Sequence, residues 1–383
     1  MNKTICIFAA YFYPHLGGIE RYNHQLALQL INLGYKVIIV TSNTENSFPE
    51  ETFEGIEIYR YPVKLFLNDR LPVPLLNRAF IKILKKVINV KSDYYIINAR
   101  FYFHSLLGAL IAKGQKKPSL VIEHGTGHFI LNNRFLYSLG HLYEHTLTKI
   151  LKILVKNYFG VSLACNEWLK HFKINADGVF YNGIDTSYQV KNRLPIKQKY
   201  DLPDDSIIIT YIGRLIPEKG VLFLKNAFDQ LTPEFHNIYL FIAGNGPLFE
   251  ELSTINKDSY RTILLGYIGY DEVMNLLIDT DLFVLPSNYP EGLPTSILEA
   301  GFSHCAVIST AKGGTLEVIT DESLGIIITP ESEKEIIQSL HMLIVNHNFR
   351  DEMKENLFNK VNTEFDWSII AGQVSDQLQV LKQ

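Results

Sequence analysis

The chain has 383 residues, 47% hydrophobic and 20% charged, which favours two domains of ordinary size in a soluble globular protein and excludes a disordered, collagenous or coiled-coil one. Its net charge of −4 conceals a split, since residues 1–185 hold 21 Lys+Arg against 13 Asp+Glu, whereas residues 186–383 hold 15 against 27. The basic half suits a surface that faces something anionic: nucleic acid, a phosphorylated substrate or a lipid surface.

In chain order, residues 4–10 read as a first buried strand, because the start of the chain lacks the small-residue cleavage site of a signal peptide. A helix over 20–33 and a strand over 36–41 follow. Residues 64–91 combine Lys64, Arg70, Arg78, Lys82, Lys85, Lys86 and Lys91 with Leu75, Leu76, Phe80, Ile83, Leu84, Val87 and Ile88, opposed only by Asp69. Such a basic amphipathic segment suits a bilayer interface, or equally a core helix with a solvated lysine face. Strands over 94–99 and 120–123 flank a further helix, and residues 149–156 repeat the basic pattern more weakly. The polar stretch 186–205 is expected to be a linker. Beyond it the rhythm restarts with strands over 207–212, 238–243, 263–265 and 282–286, helices over 270–278 and 296–302, and a terminal helix over 367–381 with Ile369, Ile370, Val374, Leu378 and Leu381 on one side. No apolar run approaches the roughly 20 residues of a membrane-spanning helix. Cys6, Cys165 and Cys305 are isolated, which excludes a disulfide framework or zinc ribbon and suits a reducing compartment. Alternating strands and helices mean parallel sheets, so the expected class is α/β: two facing Rossmann-like domains with a cleft between them.

Four motifs carry chemistry. Gly17-Gly18, between a strand and a helix, lets the backbone approach an anion at the helix N-terminus, or is a turn that needs positive φ. Gly213-Arg214, followed by Pro217-Glu218-Lys219-Gly220, sets two cations five residues apart at a strand exit, which suits a diphosphate or is a solvated charged loop. Ala243-Gly244-Asn245-Gly246-Pro247 is a second glycine-rich exit; Phe249 replaces the third glycine of a dinucleotide fingerprint, so NAD binding is not supported. The strongest is Glu291-Gly292-Leu293-Pro294-Thr295-Ser296-Ile297-Leu298-Glu299, two carboxylates eight residues apart around a helix opening. Thr295 or Ser296 is expected to cap that helix, and the carboxylates suit vicinal hydroxyls; a capping box of Ser296 and Glu299 explains only one of them. Asp279-Thr280-Asp281 has metal-binding D-x-D spacing but reads as a helix-to-strand connection.

Taken in order, with Tyr181-Asn182-Gly183-Ile184-Asp185, Leu265-Gly266-Tyr267 and Phe365-Asp366-Trp367, these motifs resemble the retaining glycosyltransferases of family 4, of GT-B fold, over nearly the whole chain. The resemblance implies an N-terminal acceptor-side domain over 1–185, a linker over 186–205, a donor domain over 206–365 and a terminal helix over 366–383 that packs back on the first domain. It implies that Arg214 and Lys219 hold the donor diphosphate, Glu299 the ribose hydroxyls and Glu291 a hydroxyl of the transferred sugar. Gly213, Gly246 and the backbone amides of Gly292, Leu293, Pro294 and Thr295 would line the donor. Tyr267 would lie near the base, and Gly17 and Gly18 would close on the diphosphate. His124 matches the family's histidine at the donor sugar, with a satisfied core histidine as the alternative. No cofactor and no metal are expected, and no nucleic acid partner. The acceptor is expected to be a lipid-linked glycan of surface polysaccharide synthesis, reached by a cytoplasmic enzyme that attaches to the membrane's inner face through 64–91 and 149–156. An epimerase or phosphorylase on the same fold, or a nucleotide-sugar binding module, are the alternatives.

Overall fold

A computed structural model describes residues 3–15, 17–45, 47–67, 71–128, 134–191, 193–256 and 260–381, apart from the side chains of 134–136. Leu16 of the first glycine motif, Asp69 and Arg70 of the basic segment, and the last two residues lie outside the described ones. The chain divides into two units, Met1–Gly183 with Trp367–Gln383, and Ile184–Asp366.

The first unit is built on strands β1 (Thr4–Phe8), β2 (Lys36–Asn43), β3 (Glu50–Phe53), β4 (Ile56–Phe66), β5 (Leu71–Pro74), β6 (Tyr94–Asn98), β7 (Ser119–Glu123), β8 (Asn157–Gly160) and β9 (Gly178–Val179). Their order is β3-β4-β2-β1-β6-β7-β8-β9, with β5 on β4. The strands β2, β1, β6 and β7 are apolar runs because both faces of a parallel sheet are covered. Antiparallel β3 and β5 extend the edge through β4. Helices α1 (Gly18–Asn32), α2 (Arg78–Asn89), α3 (Phe103–Gly114), α4 (Arg134–Leu154) and α5 (Leu163–Lys170) connect these strands.

Residues Trp367–Leu381 form a helix at the end of the chain whose buried side carries Trp367, Ile370, Ala371, Val374, Ser375 and Leu378. It shares one core with Tyr22, Leu26 and Leu30 of α1 and with Ile5, Ile7, Val37 and Ile39 of the sheet. Ile369, expected on that inner side, is 39% exposed, and Ser375 takes an inner place by hydrogen-bonding the Tyr35 hydroxyl at 2.8 Å.

The second unit opens with a short helix, α6 (Ile196–Lys199), inside the stretch expected as linker. Ile196 packs with Phe241, its N–H donates to Asp279 Oδ2 at 2.6 Å, and Arg193 pairs with the same carboxylate. Residues 186–205 thus belong to this unit. Asp281 accepts from the Ile208 N–H at 3.0 Å and from Lys354 at 3.2 Å, so both carboxylates of Asp279-Thr280-Asp281 serve the connection between a helix and a strand.

The strands here are β10 (Ile207–Ile212), β11 (Ile238–Ala243), β12 (Thr262–Gly266), β13 (Leu282–Leu285), β14 (Ala306–Thr310) and β15 (Ile326–Ile328), in the order β12-β11-β10-β13-β14-β15. All pairings are parallel. The helices are α7 (Val221–Leu231), α8 (Phe249–Ile255), α9 (Tyr270–Ile278), α10 (Thr295–Phe302), α11 (Thr315–Val318), α12 (Glu333–Val345) and α13 (His347–Glu364); the terminal helix is α14. The chain runs outward from β10 to β12 and then returns to lay β13 on the other side of β10. The order reverses there, and parallel α/β sheets bind ligands at the carboxyl ends of such neighbours.

Candidate active site

The loops leaving β10 and β13 carry the two strongest motifs, so the topology brings the cations of one to the carboxylate of the other. After β10 the chain makes a 3-10 turn, Pro217–Lys219, closed by Gly220 at φ 72°. A Cβ on Gly220 would drive into the Pro286 carbonyl oxygen at the end of β13. The Asn288 N–H donates to the Glu218 carbonyl at 2.7 Å, which ties the same two loops together. The buried Lys219 consequently pairs with Glu291. Ser287 Oγ donates to Glu291 Oε1 at 3.4 Å, and its oxygen accepts the Tyr289 N–H at 3.1 Å.

Tyr289 was not singled out in the sequence, and it is the platform of the site. The Arg214 guanidinium lies 4.9 Å and Lys219 Nζ 5.4 Å from the ring centroid. The attraction of a π face for cations keeps both charges on one side of the turn. Two further loops pack against this core. A Cβ on Gly244 would strike the Gly213 carbonyl oxygen, and one on Gly246 that of Leu215. Gly246, expected to line the donor, thus has a steric duty of its own. After β14, Gly313 sits at φ 55° against the Glu291 carbonyl oxygen, and the Gly314 N–H donates to the Gly292 carbonyl at 2.8 Å. That Gly313-Gly314 pair was missed; its only sequence signal was a glycine doublet at a strand exit.

Glu299 lies buried on α10, 5% exposed, behind the loop that holds Glu291. The helix opens at Thr295 with Pro294 as its cap residue and no side-chain cap, so neither Thr295 nor Ser296 caps it and no Ser296/Glu299 capping box forms. Proline at that position fixes the entry instead. Pro294 has no N–H, so only its carbonyl can line a ligand. Leu293 is buried and Tyr267 is 70% exposed.

In the first unit, Gly17 caps α1 at φ −152°, and neither Gly17 nor Gly18 adopts positive φ, which removes the reading of a turn that demands it. A Cβ on Gly17 would meet the Glu20 carboxylate, while a Cβ on Gly18 would meet nothing within 4 Å among the described residues. Glu20 is buried in the first turn of α1, and burial is the main cause that raises its carboxyl above the usual range. His124 follows β7. Its Nε2 lies 2.8 Å from Asn98 Oδ1 at the end of β6, and its ring meets the Tyr22 ring edge-on at 4.7 Å. Burial lowers its pKa to about 3, so the imidazole is neutral.

The span 64–91, expected as one basic amphipathic helix, is not one: Lys64 to Phe66 end β4, Leu71–Pro74 form β5 and the helix begins only at Arg78, so the basic segments are part core and part surface. On α2, Phe80, Ile83 and Val87 are buried, while Arg78, Lys82 and Lys85 are exposed beside Leu76, Ile81 and Ile88. On α4, Leu151 is buried, Ile150 and Ile153 are exposed, and Lys152 binds the Phe172 and Lys173 carbonyls at 2.8 Å. Among the described residues no helix is long and apolar enough to cross a membrane.

Two Rossmann-like sheets with parallel cores, one of them with a charged cluster at its switch point, define an α/β protein of the GT-B class. Residues 16–188 match the family described as Glycosyltransferase Family 4 and residues 192–360 that described as Glycosyl transferases group 1. The chain is a glycosyltransferase built from those two family domains. An uncharacterized glycosyltransferase of Methanocaldococcus jannaschii is 26% identical over 378 residues, 95% of each chain. The GPI3 subunit of the phosphatidylinositol N-acetylglucosaminyltransferase of Saccharomyces cerevisiae is 24% identical over 97% of this chain and 81% of its own length. The crystal structure of Anabaena HepE in complex with UDP-glucose superposes with a TM-score of 0.75 at 18% identity, covering 98% of this chain and 99% of that one. Activity from a nucleotide-sugar donor fits all of these, but the bacterial surface-polysaccharide type is not singled out, because a eukaryotic lipid-modifying subunit and an archaeal enzyme match as well.

Proposed function

We propose that the chain transfers a sugar, with retention, from a nucleotide-diphosphate sugar held by the second unit to a hydroxyl of a lipid-linked glycan acceptor at a membrane surface. The observation that carries this reading is the meeting of the β10 and β13 exits, with Arg214 and Lys219 on the Tyr289 platform and Glu291 beside Lys219.

Breaking the anomeric C–O bond leaves growing negative charge on the departing diphosphate. Fixed cations stabilise that charge as it develops, which lowers the barrier rather than merely tightening substrate binding. Lys219 has three ammonium donors, so pairing with Glu291 leaves others for phosphate oxygen. Glu291 likewise keeps acceptor capacity for a sugar hydroxyl. In the second unit Glu299 takes the ribose hydroxyls; in the first, His124 offers a neutral imidazole suited to a sugar hydroxyl, and the start of α1 at Gly17 and Gly18 a helix N-terminus suited to an anion. For retention, the leaving phosphate oxygen accepts the acceptor's proton on the face from which it departs, so no separate base is required, and no metal or other cofactor takes part.

The UDP-glucose complex of HepE favours a uridine nucleotide, and the name of the yeast relative favours a lipid-borne acceptor. The exposed Arg78, Lys82, Lys85 and Ile81 on α2, with Leu76 just ahead of it, give the membrane reading its surface. Thermal-shift titration with UDP-, GDP- and dTDP-sugars tests the donor site, because a ligand of the native state raises apparent stability. One nucleotide class should stabilise the protein, and Arg214→Ala should abolish that shift and lower kcat/KM about 100-fold or more. An equal shift in the variant would remove Arg214 from the donor.

A further inference from the structure

Four histidines that the transfer reaction does not use gather at one place in the first unit. His128 lies in the segment after β7, His141 and His145 are on α4, and His171 follows α5. One ring nitrogen from each of His128, His145 and His171 lies within 4.8 Å of the other two. The geometry points to a divalent transition-metal site of the zinc class, with His128, His145 and His171 as ligands.

Three observations support it. First, His145 Nε2 and His171 Nε2 are 3.3 Å apart. That is long for a hydrogen bond between ring nitrogens, and it equals the edge of a tetrahedron whose ligands stand about 2.05 Å from zinc, roughly 3.3 Å. Second, His128 Nδ1 faces Glu144 Oε2 at 2.6 Å. This fixes the tautomer, leaves Nε2 as the ligand atom, and reproduces the carboxylate–histidine pairing found behind metal-bound imidazoles. Glu144 is itself held by the buried Arg100, which also binds Glu123 at 2.7 Å. Third, the His141 ring packs against His128 with centroids 3.7 Å apart and planes tilted by 32°, and its buried Nε2 meets no hydrogen-bond partner among the described residues. It packs beside the three ligands without belonging to their group, so the fourth place is left to water. The Trp168 ring, parallel to His171 at 4.9 Å, holds that imidazole in place.

Imidazole donors without thiolates or a carboxylate cluster suit zinc, nickel or copper rather than magnesium or calcium. The site joins the β7 exit, which carries His124, to α4 and α5. Its role is a staple and not a step in the proposed transfer.

The test uses the full chain, freed of any affinity tag and stripped with a chelator. Zinc is titrated in competition with a chromophoric chelator, and Co2+ absorption is recorded separately. One ion per chain, the intense visible bands of tetrahedral Co2+, and a thermal transition that rises with zinc are expected. His145→Gln with His171→Gln, at exposed positions, should weaken binding at least about 100-fold while leaving the metal-free transition in place. Zinc binding no tighter than in that variant would overturn the site and leave the 3.3 Å contact as a shared-proton bond. The Co2+ spectrum of the unaltered protein decides without any variant, because weak octahedral bands would equally overturn it.

Discussion

Gly220 stands under two constraints that only the glycine side chain satisfies, a left-handed φ of 72° and a position where a Cβ would enter the Pro286 carbonyl. Gly220→Ala should therefore cost about 2–4 kcal/mol and displace Lys219, one residue away, so that the urea midpoint and donor affinity fall together. An unchanged midpoint would show that the β10 turn does not need its glycine. His104 sets a pH prediction. It is 1% exposed, and burial lowers its pKa to about 3 despite a hydrogen bond to the Asn98 carbonyl at 3.2 Å. Below about pH 6.5 the unfolded chain takes up a proton that the folded chain refuses, so this stabilisation is complete above pH 6.5 and is lost as pH falls towards 3. Its slope is at most about 1.4 kcal/mol per pH unit. Glu144, raised by burial to about 7, acts in the opposite sense between 4.5 and 7, which makes the comparison with a variant the informative one. His104→Gln should flatten the rise of unfolding free energy between pH 4 and 6; an unaltered slope would mean the ring is charged in the folded state. At this scale Arg214, Lys219 and Glu291 were legible because charge at a glycine-rich strand exit is a local pattern. Tyr289 was not, since nothing in its neighbourhood says which ring two distant cations will share.

Elements with one clean period were legible almost to the residue. Strands β10 and β11, helix α9 and helix α14 occupy the spans their patterns predict, because apolar runs and 3.6-residue stripes report burial directly. Strands β3 and β5 went unpredicted: four residues each, at a sheet edge, half-exposed, they bury too little to leave a pattern. The cap of α10 was misread because Thr295 and Ser296 are good caps by type, while Pro294 already occupies the position. In α14 the stripe was right except at Ile369 and Ser375, where a tyrosine hydroxyl on the neighbouring strand entrance makes serine the better inner residue. This helix completes the core of the first unit. Leu378 is fully buried there, and Leu378→Ala should cost about 2–5 kcal/mol, because the neighbours from α1 cannot close the cavity it leaves. A loss below about 1 kcal/mol in equilibrium unfolding would mean that α14 merely rests on α1.

Across the whole molecule, the two-domain α/β architecture was legible in the restart of the strand–helix rhythm, and the glycosyltransferase class in the order of the motifs. The histidine cluster was not, because its members stand between residues 128 and 171 with no ligand spacing, and only the packing of two helices and a loop collects them. The charge split belongs to this scale as well. A net excess of 8 positive charges in the first 185 residues has a structural outlet on α2, where Arg78, Lys82 and Lys85 point to solvent while Phe80, Ile83 and Val87 anchor the helix. A buried apolar side and an exposed basic side thus share one element, so packing in the core leaves the basic side open to an anionic surface. Each basic residue near an anionic bilayer is worth about 1 kcal/mol, and Leu76, 80% exposed, adds apolar area for the interface. Co-sedimentation with anionic vesicles should therefore weaken with added salt and fall about 30-fold or more in Lys82→Glu/Lys85→Glu, with the donor-induced thermal shift intact. Neutral vesicles should bind little. Equal partition of variant and unaltered protein would locate the anionic partner of the basic half elsewhere, and a loss of donor response alongside it would mean that the charge on α2 serves folding rather than a surface.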